Sequence, residues 1–373
     1  MNRGILWGLA IAIHFVVSSS FAESIFIDPE DGYLDGSRWL LEHSGFLPVP
    51  IIITEPAVGV GGGLALVFME KNKDAPRPGH FSPPTITGVG AFGTDNQSWG
   101  GFGFYIKNWD QDRWRYMGGV GYASLNLTFY GFGGFPGVDD LKMDYNLKGA
   151  FLVQDLRHRL GESNFFYGGR YLYSDLEAKF EGDKPEFLVD KAIENRNGGL
   201  AILGNYDSRD NTLSPQSGLL SELRYYFFSE NFGGDLDYNL GAWDTQGYFK
   251  WSEAWGASAR LLGKWINGSA PFYAKPYIDL RGIAKQRYQG DYALSTEVEL
   301  RWRPHPRWQY SVFGGAGKAV TDTEQISDSE TAGTYGAGFR YLIARLVGFQ
   351  MGIDIARGPD ETVFYIQAGT AWF

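Results

Sequence analysis

Between Tyr292 and Arg303, apolar and polar residues alternate almost without exception. Tyr292, Leu294, Thr296, Val298, Leu300 and Trp302 share one face, and Asp291, Ala293, Ser295, Glu297, Glu299, Arg301 and Arg303 share the other. A period of two with the charges confined to one side predicts a strand between a wet surface and a greasy one. The alternation recurs in Phe165, Tyr167, Gly169, Tyr171 and Tyr173, opposite Arg170 and Ser174. It recurs again in Tyr145, Leu147, Gly149, Phe151 and Val153, and in Leu219, Leu223, Tyr225 and Phe227. Beyond the N-terminal apolar run, Lys, Arg, Asp or Glu interrupts every apolar stretch, so any membrane residence is by strands rather than helices. A large soluble antiparallel sandwich would alternate in the same way.

Applied along the chain, the pattern predicts sixteen strands: 58–70, 85–94, 97–108, 113–122, 126–133, 141–155, 163–177, 196–208, 217–230, 236–251, 253–266, 291–302, 307–319, 333–343, 346–356 and 361–373. An even number is what a single-chain bacterial barrel requires. Most odd-numbered connections are long, namely 71–84, 178–195, 267–290 and 320–332. Short periplasmic turns alternating with longer outer loops give this rhythm when both termini are periplasmic. The expected fold is therefore all-β, a transmembrane antiparallel β-barrel of about sixteen strands. The weakest strand is 126–133, where Asn126, Leu127, Phe129 and Gly131 also read as a loop.

Both chain ends distinguish a membrane barrel from a soluble sandwich. Arg3, the apolar run Ile5 to Val17 and the small-residue site Ser20-Phe21-Ala22 describe a secretory signal peptide over 1–22. The last residues run as a strand to Phe373, as expected where the last strand meets the first and an aromatic ring anchors it. Within that strand Val363, Tyr365, Gln367, Gly369, Ala371 and Phe373 alternate imperfectly, since Gln367 would then face lipid.

Composition fits this reading. Cys is absent, which removes disulfides, thiolate metal sites and cysteine nucleophiles. Aromatics make up 16% and Gly 51 of 373 residues, a mixture suited to rings packed on glycines in a curved sheet. The mean hydropathy of -0.24 hides the lipid-facing half, because a barrel averages its two faces. A net charge of -10 argues against nucleic acid as a partner.

Two segments carry more than scaffold. One runs from Tyr206 to Gly218 and contains Asp207, Arg209, Asp210 and Pro215. The other is Leu280-Arg281-Gly282-Ile283, followed by Gly290-Asp291. Both resemble the BamA/TamA superfamily of outer-membrane assembly and translocation barrels, also called the bacterial surface antigen family. The resemblance is best over 196–373 and extends loosely to Pro48-Val49-Pro50 and Gly59-Val60-Gly61-Gly62-Gly63. It implies a sixth outer loop tucked into the lumen, with Arg281 as the tip, Gly282 permitting the turn and Glu299 as the wall carboxylate. Glu299 lies on the charged face by periodicity alone, and an arginine in a partly dehydrated lumen favours a carboxylate. Two departures stand out: Ile283 replaces an aromatic residue, and Gly315 stands where a second wall acid is expected. The lock is then looser, or Glu297 substitutes. The plain alternatives are a solvated loop charge for Arg281 and an ordinary lumen carboxylate for Glu299. For Asp207, Arg209 and Asp210 turn geometry suffices as an explanation.

The resemblance implies a role in outer-membrane protein assembly or translocation. It would act through a seam joining 58–70 to 361–373, weakened by Gly59, Gly61, Gly62, Gly63 and Gly369 and ending at Phe373. Family members that handle clients carry periplasmic polypeptide-transport domains, whereas here 23–48 is a short lead and 49–373 the barrel. Within the lead, Trp39-Leu40-Leu41-Glu42-His43 reads as a capping helix or as a passive terminal segment. A passive pore, with Glu297, Glu299, Arg301 and Arg303 setting ion preference, is the competing expectation; a structural surface antigen is a third. No enzyme is expected: His43, His80, His158 and His305 sit in no nucleophile setting, and no Gly-x-Ser-x-Gly elbow occurs. Neither a cofactor nor a metal site is expected. The expected partners are outer-membrane lipids and lipopolysaccharide, unfolded outer-membrane protein clients, and the assembly machinery for the barrel's own insertion. The expected location is the outer membrane of a Gram-negative bacterium.

Overall fold

The computed structural model describes residues 25–42, 47–70, 72, 84–131, 142–181, 194–325, 327, 329–370 and 372. The expected signal peptide 1–22, His43, His80 and Phe373 lie outside them. A short helix, α1 (Ser37–Glu42), precedes sixteen strands: β1 Leu47–Ile53, β2 Gly61–Glu70, β3 Thr85–Thr94, β4 Trp99–Trp109, β5 Trp114–Phe129, β6 Met143–Arg159, β7 Phe165–Phe180, β8 Glu194–Asp207, β9 Gly218–Phe228, β10 Tyr238–Lys250, β11 Trp255–Gly268, β12 Tyr292–His305, β13 Trp308–Val320, β14 Ala332–Ala344, β15 Phe349–Arg357 and β16 Thr362–Ala368. They form one antiparallel sheet in sequence order, from β1 to β16. The sheet curves into a nearly closed barrel. Between β1 and β16 no strand pairing is present among the described residues.

The count of sixteen survives through two compensating corrections. First, β1 replaces 58–70 as the opening strand. Pro48 and Pro50 mask it in the sequence, but prolines are tolerated on an edge strand, and among the described residues β1 pairs only with β2. Second, 113–122 and 126–133 are one strand, β5. Asn126, which reads as loop, lies beside the turn beyond the start of β4: its backbone N–H donates to Ser98 Oγ (2.9 Å), and its amide donates to Asn96 O (2.7 Å). Asn146 in turn donates to Asn126 Oδ1 at 2.7 Å. These asparagines carry pairing past the end of the neighbouring strand. The shift also moves connection 71–84 to the end of the barrel that carries the termini, while 178–195, 267–290 and 320–332 stay at the opposite end.

The predicted seam is corrected with it. Gly61, Gly62 and Gly63 lie in β2, hydrogen-bonded between β1 and β3, and Gly59 sits in the turn before them. The facing of the last strand is reversed as well. Val363 is buried and Tyr365 points to the loop inside the barrel, whereas Phe364 is exposed outward, so Gln367 faces the lumen and not lipid.

Alternation on β12 is as the sequence predicts: Leu294, Val298, Leu300 and Trp302 are exposed, and Ser295, Glu297, Glu299 and Arg301 are buried. At the terminal end the outward face carries a band of rings. Trp109 stacks on Trp114 and Trp255 on Trp302, each 6.1 Å apart, and Tyr310 meets Phe339 at 5.3 Å. Such a band is where a transmembrane barrel meets the bilayer interface.

The lumen has two unlike walls. From β6 to β11 it is a ladder of ion pairs: Asp155 with Arg157 and Arg170, Arg157 with Glu222, and Asp244 with Arg260. From β3 to β6 it is apolar, with phenylalanines lying on the cross-strand glycines that face them. A Cβ added at Gly88, Gly90 or Gly121 would meet the ring of Phe104, Phe102 or Phe151 within 2.6 Å. The glycines thus supply the depth the rings fill.

The β1 assignment predicts a crosslinking pattern. In this cysteine-free chain, Pro50→Cys with Leu64→Cys joins β1 to β2 on oxidation, because the two are register partners. Leu64→Cys with Phe364→Cys, a pair spanning the two strands of a 58–70 to 361–373 seam, stays reduced. Gel mobility under non-reducing conditions reads both, and crosslinking of the second pair alone would restore the original strand assignment.

Candidate functional site

The connection between β11 and β12 runs from Ser269 to Asp291 and folds into the barrel. Its first turn, Phe272–Ala274, inserts Phe272 among Phe129, Tyr145 and Ala178. Its two limbs then approach each other, with a bridge between Tyr277 and Gln289 and a hydrogen bond from Ile278 N to Tyr288 O at 3.1 Å. Glycines in β13 let the descending limb lie close to the wall: a Cβ at Gly315 would sit 3.0 Å from Leu280 Cδ2, and one at Gly317 2.6 Å from Ile278 Cγ2. Leu280, Ile278, Ile283 and Ala332 form a buried cluster there.

At the tip, Arg281 has a side chain only 6% exposed. Its Nε and Nη2 donate to Glu297 Oε1 at 3.0 and 2.7 Å, and its Nη1 donates to Glu299 Oε2 at 3.0 Å and Asp354 Oδ2 at 2.7 Å. The guanidinium carbon lies over the Phe313 ring, 3.5 Å from its centroid. Charge-assisted bonds to a fixed fork of donors are the strong kind, and a ring face adds cation–π attraction. Gly282 adopts φ 92° and donates its N–H to Tyr365 Oη at 2.9 Å. A Cβ there would come within 3.0 Å of Gly358 N in the β15–β16 turn, so both the backbone and the space require glycine.

The structure thus brings Arg281, Gly282, Glu297 and Glu299 together. It adds Asp354, which the sequence reading missed, on β15 and also held by Arg340 at 2.6 and 2.7 Å. Of the two possibilities left open for the lock, Glu297 is present as an acceptor. Gly315 replaces a wall acid with room for Leu280, and Asp354 supplies a further carboxylate from another strand. Where an aromatic was expected, Ile283 packs into the buried cluster. The signal for Asp354 was available: it is a lone acid within the apolar run Met351 to Ala356.

The second motif lies against the same wall. Asp207 accepts from Arg209 at 2.9 Å and from Arg115 at 2.8 Å. Asp210 Oδ1 accepts the backbone N–H groups of Asn211 and Gln216, both at 2.9 Å. Gly218, at φ 106°, closes the turn, and Tyr206 packs edge-on against Phe165 outside it. Pro215 offers its carbonyl to Arg301 of β12 at 2.9 Å. These contacts shape a turn and hold it on the lumen wall.

The C-terminal end reaches the site too. After β16, Gly369 at φ 77° turns the chain inward, and its N–H donates to Gln350 O at 2.7 Å. Trp372 is buried and donates Nε1–H to Glu297 Oε1 at 2.7 Å, the same oxygen that accepts from Arg281. Gly369 is therefore at the seam, though as a bend rather than as a weak pairing position.

Replacing Arg281 with Ala leaves Glu297 and Glu299 in a buried site without their cation. Loss of one partner from a buried ion network costs about 3–5 kcal/mol. We expect a lower urea midpoint for Arg281→Ala, measured by tryptophan fluorescence in detergent, and only partial recovery in Arg281→Lys, which lacks the fork. An unchanged midpoint would mean that the tip carries no stability.

No protein-family model matches the chain, and no curated protein does. Solved structures do. BamA from Haemophilus ducreyi lacking POTRA domains 1–3 superposes with a TM-score of 0.59 at 12% identity, over 88% of this chain and 70% of that one. CdiB from Escherichia coli gives 0.60 at 10% identity over 88% of this chain, and CdiB from Acinetobacter baumannii 0.54 at 13% over 87%. The chain spans 63% and 59% of those two CdiB chains. At these identities the likeness is one of fold: this chain is a sixteen-stranded barrel folded like those of BamA and CdiB.

Proposed function

We propose that the protein is an integral barrel of the outer membrane of a Gram-negative bacterium, with its terminal end periplasmic, and that it acts in outer-membrane protein assembly or translocation. The observation that carries this reading is the seam. β1 and β16 are seven residues each and face each other without pairing, whereas β5, β6 and β7 on the far side have 16, 17 and 16 residues. Seven residues tilted in a bilayer reach only ~17 Å, against a hydrocarbon core of ~30 Å. The bilayer beside the seam must thin to meet it, and unpaired strand edges there offer backbone groups to an incoming strand. Both effects favour insertion of another chain at that place.

The partners follow from this: phospholipid and lipopolysaccharide around the barrel, unfolded outer-membrane proteins as clients, and the cell's assembly machinery for its own insertion. No reaction chemistry is assigned. His158 and His305 pack against aromatic rings at the rim, His158 between Trp114 and Tyr167, and His305 against Trp308. A passive pore is the second reading, favoured by the charged wall from β6 to β11, and it requires the Arg281 loop to leave the lumen.

Planar-bilayer conductance of the refolded barrel separates the two. We expect a small, flickering current that rises in Arg281→Ala, together with faster folding of an unfolded outer-membrane β-barrel protein into liposomes that contain the wild-type protein. A large, steady current insensitive to the substitution, with no effect on client folding, would establish the pore instead.

A further inference from the structure

Residues 26–35 form a tight hairpin ahead of the barrel. Ile27 bridges Leu34, Asp35 N donates to Phe26 O at 2.9 Å, and Gly32 turns at φ 74°. One oxygen from each of three aspartates caps the local backbone: Asp28 accepts Glu30 N, Asp31 accepts Tyr33 N and Asp35 accepts Ser37 N. All three also bind Arg307, in the β12–β13 turn, whose side chain has no exposed surface. Asp31 takes Nε at 2.6 Å and Nη2 at 2.9 Å, and Asp28 and Asp35 take the two terminal nitrogens.

The β14–β15 turn is gripped by the same hairpin. Arg345 bonds Asp28 through Nε and Asp35 through its backbone N–H, and reaches Glu30 at 2.8 Å. Leu346 N donates to Ser37 Oγ at 2.9 Å, Gly36 N to Ile343 O at 2.6 Å, and Tyr341 Oη to Leu34 O at 2.8 Å. The Arg345 hydrogen bond holds the Asp28 carboxyl at about 2, and Arg307 lowers that of Asp31. For Asp35 burial opposes ionisation, but the Ser37 and Arg307 hydrogen bonds outweigh it. The carboxylates are therefore charged throughout the neutral range.

From this anchorage the chain enters α1, where Trp39 packs on the inner side of β1 and β2 against Leu47, Ala65 and Val67. Four residues later the chain enters β1. In sheet order, the two gripped turns and β1 stand on opposite flanks of the unpaired seam, with β16 between them. We infer that residues 26–42 are a strap that closes the terminal end of the seam from below, so that opening from that end requires release of Arg307 and Arg345 from the three aspartates. The strap does what strand pairing does elsewhere in the barrel, holding β1 to the flank formed by β12 to β15. The inference rests on the unpaired seam and not on any client activity.

The test reads the seam directly. Pairs of spin labels are placed on outward positions at its two ends, Pro48→Cys with Ala368→Cys at the strapped end and Ile52→Cys with Phe364→Cys at the far end, and distances are measured by pulsed electron resonance in nanodiscs. Arg307→Gln is compared with the unsubstituted strap, and Asp28→Asn with Asp35→Asn serves as a second release that leaves the turns intact. Heat-modifiable gel migration confirms that each variant is folded. The expected result is a longer, broader distance at 48/368 in the release variants, with 52/364 changing less. An unchanged 48/368 distance in a folded release variant overturns the strap. An equal shift at both ends also overturns it, because it would report general loosening of the barrel.

Discussion

A sheet that crosses a bilayer has to satisfy its backbone groups from strand to strand, because lipid offers no hydrogen bonds. Among the described residues of this barrel, fifteen strand interfaces meet that requirement and the one between β1 and β16 does not. The rest of the architecture is arranged around this exception. The seam strands are the shortest in the sheet, at seven residues each, so few groups are left unpaired. Prolines at 48 and 50 remove two donors from the edge of β1. Beyond β16 the chain leaves the wall altogether and bends inward at Gly369.

The lumen is filled from the same flank. The tip of the β11–β12 loop is fixed on β12, β13, β15 and β16 through Arg281, Leu280 and Gly282, all on the C-terminal side of the seam. The strap holds turns of that same flank. The apolar wall from β3 to β6 meets the loop higher up, where Phe272 packs against Phe129 of β5 and Tyr145 of β6. The loop therefore braces the barrel in two ways, by charged and backbone contacts at its tip on the C-terminal flank and by apolar packing around Phe272 on the opposite wall.

Legibility in the sequence tracked how local each cause was. The alternation of β12 and the lumen placement of Glu297 and Glu299 were readable because one strand contains the whole pattern. Arg281 was readable because its Arg-Gly pair resembles a known motif. Asp354 was only half legible: a lone acid in an apolar run marks an inward position, but its partners lie 73 and 14 residues away and nothing local names them. β1 was hidden by its prolines, whose tolerance depends on the absence of a neighbour, a fact about topology and not about the segment. β5 was split because Asn126 has loop character alone and strand character only beside Asn96, Ser98 and Asn146. The strap was the least legible: nothing local singles out Asp28, Asp31 and Asp35, whose two arginine partners come from turns some 280 and 310 residues away.

Glu297 Oε1 receives hydrogen bonds both from the loop tip at Arg281 and from Trp372 at the chain end. Contacts that share an acceptor are not independent: occupancy of one alters the free energy of the other, and by linkage the influence is mutual. A single carboxylate oxygen thereby links the loop in the lumen to the segment beyond the last strand, so that the position of the plug and the position of Trp372 are thermodynamically coupled.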